Sequence, residues 1–332
     1  MSPVLVAILR VLAAVGLMLM NGVVLIYMLR KVLGHLHVRL GPTELGPAGM
    51  FQTTADVLKL LTKEDILPTR VDKVLFFLAP GMVFVPSLMA YAAIPFSPTW
   101  IAANLNLGLL FTIGILSLVP LGIVAAGWSS HNKWSLLGGM RAVAQQITYE
   151  VPLLLAALPP VMLAGSLNLA DIVRAQGTVW YWLPCFPAFL FFLVSGLIEA
   201  NQTPFDMSEA DSELVAGFAT EYSSMKFGLL FLAEFSNTFL FASLMVTLFL
   251  GGWHLPFVPD SIVPAIGLPV IFMVKVYLVI FCLMWIRGTL PRVRIDQLLQ
   301  LGWKILLPAS LAWIMVTAAG VKLFPMIFGG VR

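Results

Sequence analysis

The sequence predicts an all-α protein that crosses a membrane as a helical bundle of about eight transmembrane helices. Of its 332 residues, 60% are apolar and 11% are charged, whereas soluble domains carry about 25% charged residues. Crossing a bilayer takes about 20 consecutive apolar residues. Eight segments meet this requirement, at roughly 4–29, 73–95, 105–128, 142–165, 181–200, 225–250, 263–286 and 305–328. Residues 1–332 therefore form a single integral membrane domain, and no run of alternating residues predicts the strands of a barrel.

The distribution of lysine and arginine predicts the orientation of the bundle. Of 19 basic residues, 14 lie in or beside the loops that follow the first, third, fifth and seventh segments. These are Arg30, Lys31, Arg39, Lys59, Lys63, Arg70, Lys73, Lys133, Arg141, Lys226, Arg287, Arg292, Arg294 and Lys304. Because basic residues accumulate on the cytoplasmic side, both termini are expected on the outer side of the membrane.

An acidic loop at residues 200–224 joins the fifth and sixth segments and is expected in the cytoplasm. Carboxylates are dense in and beside it: Glu199, Asp206, Glu209, Asp211, Glu213 and Glu221. Apolar residues are interleaved with them, which favours a packed segment over a solvated loop. A helix from Asp206 would place Asp206, Glu209 and Glu213 on one face. Like charges on one face disfavour ionisation, which suits proton uptake and release, with Arg141 and Lys226 as the nearby cations.

The first cytoplasmic loop contains a predicted amphipathic helix at residues 45–64. Its apolar stripe is Met50, Phe51, Thr54, Val57, Leu58 and Leu61, and its polar stripe is Gln52, Asp56, Lys59 and Lys63. Such a helix either rests on the membrane surface or forms an entrance for an amphiphilic ligand between lipid and protein. The stripe alone does not decide between these two interpretations.

Two carboxylates fall inside apolar segments, Glu150 in the fourth and Glu234 in the sixth. A charge in the bilayer is costly, so it faces the bundle or water. Either residue is then half of a structural salt bridge or part of a proton relay. Lys275 in the seventh segment is the basic residue available to pair with one of them, and the sequence does not pair them.

The residues with redox or metal chemistry form no recognisable site. Cys185 and Cys282 lie far apart in apolar runs, and the 4 histidines are scattered. No glycine-rich dinucleotide motif and no iron–sulfur cysteine set is present. We therefore expect no cofactor bound by this chain alone and no metal. Because the basic residues are spread over short loops, we also expect no nucleic acid partner.

The acidic loop resembles that of the H subunit of bacterial respiratory complex I, which is subunit 1 of NADH dehydrogenase in mitochondria. The matching residues are Glu199, Asn201, Pro204, Phe205, Asp206, Glu209, Glu213, Leu214, Val215, Gly217, Phe218, Glu221, Tyr222 and Ser223. Further matches lie at 39–64, 127–141 and 285–304. The chain departs from the family at Gln202, where arginine is usual, at Leu29, where glutamate is usual, and at His37, where glutamine is usual.

The resemblance implies the membrane side of a quinone tunnel, in which quinone reduction is coupled to proton translocation and quinone is the substrate of the complex. The implied channel residues are Arg30, Arg39, Asp56, Lys59, Phe205 and Arg287. The implied proton-coupling residues are Glu150, Glu199, Asp206, Glu209, Asp211, Glu213, Glu221 and Glu234. Arg287, Arg292 and Arg294 either meet lipid headgroups or dock a peripheral subunit.

The resemblance also implies partners. They are peripheral-arm subunits with the terminal iron–sulfur cluster and the quinone site, antiporter-like membrane subunits, and the lipid of the bacterial inner membrane. The related alternative is the matching subunit of a membrane-bound hydrogenase or formate hydrogenlyase. A stand-alone ion transporter would show inverted repeats, which the sequence lacks, and a purely structural anchor leaves the acidic residues unexplained. The electron donor and the type of quinone stay open.

Overall fold

The computed structural model describes residues 3–177, 179–208, 211–256, 264 and 267–323, and every regular element among them is helical. The predicted all-α membrane fold is therefore confirmed. The helices are α1 (Pro3–Leu36), α2 (Gln52–Thr62), α3 (Lys73–Tyr91), α4 (Gly108–Leu116), α5 (Val119–Ser129), α6 (Lys133–Ala164), α7 (Leu169–Ala175), α8 (Phe186–Glu199), α9 (Asp211–Leu214), α10 (Ser224–Phe249), α11 (Gly267–Thr289), α12 (Ile295–Gln300) and α13 (Leu307–Leu323). Short 3-10 turns lie at Pro47–Gly49 and Gly217–Ala219, and a π-helical turn at Leu301–Leu306 joins α12 to α13.

Within the described ranges, seven helical stretches are long and apolar enough to cross a membrane, and α8 is the shorter eighth. The 14 residues of α8 rise about 21 Å, less than the roughly 30 Å hydrocarbon core. Helix was predicted from residue 181, but α8 begins only at Phe186. Pro184 and Pro187 explain the late start, since proline restricts the residue before it and is tolerated only in a first helical turn.

Two other segments differ from their predicted limits. The third is divided into α4 and α5, because Pro120 in the first turn of α5 cannot donate the hydrogen bond that would continue α4. The last begins at Ile295 rather than near residue 305. Its first turn contains Asp296, a charge that suits a helix N-terminus but lowers the local hydropathy.

Helix α10 lies at the centre of the bundle. In its most apolar window 78% of residues are buried, against 22% in α1 and 11% in the stretch from α12 to α13. It packs against α3, α11, α1 and α8. Helices α1 and α13 consequently present most of their apolar surface outward.

Polar side chains join the helices inside this apolar core. Ser87 of α3 donates to Asn237 of α10 at 2.7 Å, and Tyr277 of α11 donates to Asn21 of α1 at 2.8 Å. Such bonds between membrane helices replace the water that polar groups lose in the bilayer. They fix the rotation of α3, α10, α11 and α1 relative to one another.

Lys275 of α11 pairs with neither Glu150 nor Glu234, so that suggested partnership is wrong. Its ammonium donates to the carbonyl oxygens of Leu250 (2.7 Å), Gly252 (3.0 Å) and His254 (2.5 Å). The last carbonyls of a helix lack partners within it, and a cation there also complements the helix dipole. Lys275 therefore caps the end of α10 that lies far from the acidic loop.

We predict that the helix connections rich in basic residues face the cytoplasm and that the opposite ends of the bundle face outward. In a background without Cys185 and Cys282, single cysteines would replace Arg174, in the last turn of α7, and Lys63, at the end of α2; both positions are exposed. A membrane-impermeant maleimide should label position 174 in intact cells and position 63 only in inverted vesicles. Labelling of both from one side would contradict the topology.

Lys275→Met should destabilise the protein, because three carbonyls at the end of α10 lose a charged donor. Hydrogen bonds to charged groups contribute about 1.5–3 kcal/mol. The matched control is Lys322→Met, which removes a lysine on the same side that is exposed. Thermal unfolding in detergent should show a lower midpoint for Lys275→Met alone. Equal midpoints for the two variants would mean that the cap contributes nothing.

Candidate functional site

The acidic loop, residues 200–224, is bound along the N-terminal part of α6. The residues that bind it run from the N-cap of this helix, Asn132, to Gln145. The contacts are Asn132 to the Glu221 carboxylate (2.7 Å), Ser135 to the Phe218 carbonyl (3.0 Å), Arg141 to the Glu213 carboxylate, and Gln145 to the Ile198 carbonyl (2.6 Å) and the Asn201 side chain (3.1 Å). The loop is therefore a packed element, and the prediction against a solvated loop is confirmed for these residues.

Between the hydrogen bonds of Ser135 and Arg141, the backbone of Gly138 lies in close contact with that of Gly217. A Cβ atom built on Gly138 would lie 2.7 Å from the Gly217 Cα and 2.9 Å from the Phe218 nitrogen. Any larger residue at 138 would push the loop away from α6. Gly217 also has a φ of 53°, in the region that favours glycine.

The predicted shared face of Asp206, Glu209 and Glu213 is wrong for the part of the loop that the structure describes. Residues 200–208 form no helix, and α9 is only the turn Asp211–Leu214. Asp206 is buried and meets Arg292 at 3.4 Å, whereas Glu213 binds Arg141 on α6. Separate cationic partners are more favourable than a row of like charges. Glu209 lies outside the described residues, as does the side chain of Asp211.

Lys226, the second suggested cation for this loop, binds elsewhere. Its ammonium lies 2.9 Å from the Asp65 carboxylate and 3.6 Å from the centre of the Phe77 ring. Glu221, bound to Asn132, lines an open polar cavity of about 490 Å³ together with Arg70 and Lys133. The carboxylates of the loop therefore have different partners: Arg292 for Asp206, Arg141 for Glu213 and Asn132 for Glu221.

The start of the loop is fixed by the way α8 ends. Asn201 has a φ of 50°, a left-handed conformation that asparagine tolerates. Its N–H donates to the Ile198 carbonyl at 3.1 Å, and the Gln202 N–H donates to the Leu197 carbonyl at 3.2 Å. This pattern is a Schellman motif, and it directs the Gln202 side chain into the bundle, where it is 4% exposed.

Gln202 joins Arg287 to Glu234. Arg287, in the last turn of α11, donates to Gln202 Oε1 at 2.6 Å. Gln202 Nε2 donates to Glu234 Oε1 on α10 at 3.2 Å and approaches Thr238 Oγ1 at 3.1 Å. The arginine predicted to lie near the channel and the glutamate predicted inside the bundle thus meet through one amide.

Glu199 and Glu150 form a second pair of carboxylates, on the packed helices α8 and α6. They are close enough for their charges to interact. Glu199 is 6% exposed, and its Oε2 has no hydrogen-bond partner among the described residues. Glu150 is partly exposed and within reach of Ser117. A buried carboxyl without a partner is costly when ionised, so Glu199 is a candidate proton site.

Helix α2 is fastened to α1 by an ion-pair cluster. Arg30 Nη1 lies 2.6 Å from Asp56 Oδ2, and Lys59 Nζ lies 3.6 Å from Asp56 Oδ1. Tyr27 donates to the Ala48 carbonyl at 3.1 Å, on the turn before α2. Three of the predicted channel residues, Arg30, Asp56 and Lys59, therefore form one cluster.

The pKa of Asp56 is lowered below its ordinary value. Partial burial by itself raises this pKa, but the hydrogen bond and the charge of Arg30, the charge of Lys59 and a hydrogen bond from Gln52 outweigh it. Asp56 thus stays ionised at neutral pH. The stabilisation from its pairing is complete above the unfolded value of about 3.9 and is lost as the pH falls through the lowered folded value.

The apolar face of α2 is open to the surroundings, as the amphipathic pattern predicted. Phe51, Leu58 and Leu61 are each more than half exposed. Thr53 faces inward instead, and the Leu60 carbonyl accepts a hydrogen bond from Ser224 at the start of α10, at 3.0 Å. The helix itself begins at Gln52 rather than at residue 45, after Pro47 and a residue, Ala48, with positive φ.

The other two predicted channel residues lie in different surroundings. Arg39 is exposed, and its side chain makes no hydrogen bond or ion pair with any residue that the structure describes. Phe205 packs against a small apolar cluster beneath the acidic loop, formed by Tyr149, Ile198, Met207, Leu298 and Leu306. The six predicted channel residues are therefore not gathered at one point. Arg30, Asp56 and Lys59 lie together, whereas Arg287 is bound to Gln202.

Two residues that bind at the site were not assigned to it from the sequence. Arg292 was weighed only as a lipid or partner contact, yet it binds Asp206, and Gln202 was noted only as a departure from the family. Both lie in loops whose partners are distant along the chain, so helical spacing gives no signal. Among the described residues, no group of three His, Cys, Asp or Glu is placed to hold a metal ion.

The sequence of the chain is similar to that of known proteins over most of its length. Residues 9–318 match the family described as NADH dehydrogenase. The chain is 44% identical over 328 residues to the H subunit of NADH-quinone oxidoreductase from Rhodospirillum rubrum, covering 98% of this chain and 96% of that one. It is 49% identical over 290 residues to the protein of the same name from Geobacillus kaustophilus, covering 87% and 86%. The chain belongs to the family of NADH-quinone oxidoreductase H subunits.

Proposed function

We propose that this chain forms the membrane side of the quinone tunnel in a complex-I-type NADH:quinone oxidoreductase and couples quinone reduction to proton translocation. Quinone is the substrate of the complex, and the electron carriers reside in partner subunits. The observation that carries the proposal is the binding of the acidic loop to several membrane helices at once. Glu213 binds α6, Asp206 binds the loop after α11, and Gln202 joins α11 to α10.

The entrance to the tunnel is assigned to α2 and the end of α1. A quinone has an apolar tail and a polar head, and α2 offers an exposed apolar face beside the Arg30–Asp56 pair. The tail follows the apolar face from the lipid, while the polar head meets the charged cluster. Because Asp56 is held ionised by two cations, this cluster serves binding and orientation rather than proton transfer.

Coupling is assigned to the acidic loop and the carboxyls behind it. A quinone that takes up two electrons also needs two protons, so its reduction changes the charge beside the loop. A carboxylate that gains a proton loses its attraction for its arginine, and a difference of one pKa unit corresponds to about 1.4 kcal/mol. Helix α6, bound through Arg141, and the loop after α11, bound through Arg292, then receive that free energy. Glu199 and Glu150 continue the route into the bundle.

The assembly follows from the same assignment. Peripheral-arm subunits with the terminal iron–sulfur cluster dock on the cytoplasmic loops, where Arg294 is exposed, and antiporter-like subunits pack along the lipid-facing helices. The complex lies in the bacterial inner membrane, with both termini of this chain on the outer side. Similarity over nearly the whole chain to NADH-quinone oxidoreductase subunits supports this function over that of a hydrogenase subunit.

Asp56→Asn should weaken quinone binding, because Arg30 and Lys59 lose their shared anion. We expect KM for a long-chain quinone to rise about fivefold in the assembled complex. The matched control is Lys63→Gln on the same helix, an exposed residue outside the cluster. Since Asp56 stays ionised at neutral pH, the effect should not vary between about pH 6 and pH 8. Identical steady-state kinetics for both variants would leave α2 as a surface helix only.

Glu199→Gln should impair proton transfer while preserving shape. General acid–base groups typically contribute about 10²–10⁴-fold. We expect quinone reduction to fall by about a hundredfold, at the low end of that range, together with a lower proton-to-electron ratio. Both are measured on the complex in proteoliposomes. The control is Asp171→Asn, which removes a carboxylate from the opposite side of the bundle. Normal rate and stoichiometry in an assembled Glu199→Gln complex would overturn the assigned route.

A further inference from the structure

We propose that Gln202 is a positioning residue that makes the placement of the Arg287 guanidinium depend on the state of the Glu234 carboxyl. This inference rests on the proposed function, since it concerns how a change at the channel reaches α10. It assigns a role to a neutral residue that carries no charge of its own. Its basis is the geometry of a single amide held between two charged groups.

The orientation of the amide is determined by its partners. A guanidinium has only donors, so Arg287 must face the oxygen of Gln202, at 2.6 Å. The nitrogen then faces Glu234 Oε1 at 3.2 Å. Each end of the amide thus meets the group of matching polarity, and the two ends cannot move independently because the amide is planar. A rotation that improves one contact lengthens the other.

The nitrogen of the Gln202 amide is the atom whose hydrogen bonds can change when Glu234 gains a proton. An amide nitrogen carries two hydrogens, but three oxygens surround it: the Ala200 carbonyl (3.2 Å), Glu234 Oε1 (3.2 Å) and Thr238 Oγ1 (3.1 Å). An ionised Glu234 is the strongest acceptor of the three. When Glu234 gains a proton, it becomes a weaker hydrogen-bond acceptor. Both amide hydrogens of Gln202 then turn to the Ala200 carbonyl and Thr238 Oγ1. The amide oxygen then shifts relative to Arg287.

The position of Gln202 suits this role because its backbone is rigid. The Schellman motif at the end of α8 fixes its main chain through the bond to Leu197. The side chain is 4% exposed, so little water competes for the amide. Its partners come from α11 and from α10, the most buried helix of the bundle.

The end of α11 is itself in contact with the entrance helix. A Cβ atom on Gly288, next to Arg287, would lie 2.7 Å from Leu36 Cδ1 and 3.0 Å from Leu33 Cδ2, both on α1. Helix α1 also carries Arg30, which binds Asp56. A shift of the Arg287 backbone therefore presses directly on the helix that holds the entrance cluster. Among the residues that the structure describes, Gln202 links this end of α11 to Glu234.

The first test compares two buried glutamines. Gln202→Met keeps the length of the side chain and removes both hydrogen-bonding ends. The matched control is Gln176→Met, which removes a fully buried amide bonded to Thr247 and Gly251 on the opposite side of the bundle. In the assembled complex we expect kcat for quinone reduction to fall about tenfold with Gln202→Met and by less than about twofold with Gln176→Met. Equal kinetics of the two variants would overturn the inference.

A double-mutant cycle tests the link itself. If the amide joins the two groups, Glu234→Gln combined with Gln202→Met should cost no more in kcat than the more severe single variant. Independent contributions would instead multiply, which would overturn the inference. The single variants Glu234→Gln and Arg287→Met test the proposed function. Wild-type activity in both would refute that function, whereas loss in both with a silent Gln202→Met refutes only the role of Gln202.

A second set of variants decides the matter if Gln202→Met fails to assemble. Gln202→Glu keeps an acceptor for Arg287 but replaces the donor to Glu234 with a like charge, so kcat should fall. Adding Glu234→Gln places an amide donor at position 234 opposite the carboxylate at position 202. The net charge of this double variant equals that of the wild type. We expect the swapped pair to recover at least about threefold in kcat over Gln202→Glu alone. No recovery in the swapped pair would contradict the bridge.

Discussion

The site depends on close contact between the backbone of α6 and that of the acidic loop. Gly138 and Gly217 touch without side chains between them, and only this approach brings Ser135 and Arg141 within reach of the loop. A loop so rich in carboxylates would otherwise extend into water, because its charges are better hydrated there. Two glycines and several polar side chains of α6 thus turn a hydrophilic connection into a part of the bundle.

The charged groups in this bundle have surroundings of different kinds. Lys275 has three carbonyl partners at a helix end and serves as a cap. Asp56 is shared by two cations and remains ionised. Glu199 is buried with one oxygen that lacks a partner in the described part of the chain. A buried carboxyl of the last kind changes its protonation more readily than one that is paired with two cations.

Direct contacts also connect the edge of the bundle to its centre. The cluster of Arg30, Asp56 and Lys59 is on α1 and α2, and the end of α1 packs on the end of α11. Arg287 at that end reaches α10 through Gln202. Each step is a contact between neighbouring groups, so no long-range field is needed. The most buried helix of the bundle is in this way connected to the face that meets lipid.

Hydropathy and helical spacing are local properties, so the sequence alone predicts the membrane fold, the amphipathic α2 and the acidic loop as a packed segment. For the same reason it identifies Asp56 and Glu213 as charged residues of interest. Their partners depend on the tertiary structure: Arg30 for Asp56, carbonyl groups for Lys275, and Gln202 between Arg287 and Glu234. The pairs Arg30–Asp56, Lys275–Leu250 and Arg287–Gln202 are separated by 26, 25 and 85 residues along the chain. No local pattern encodes such pairs, since they form only when the helices pack and each buried charge takes the nearest group that can satisfy it.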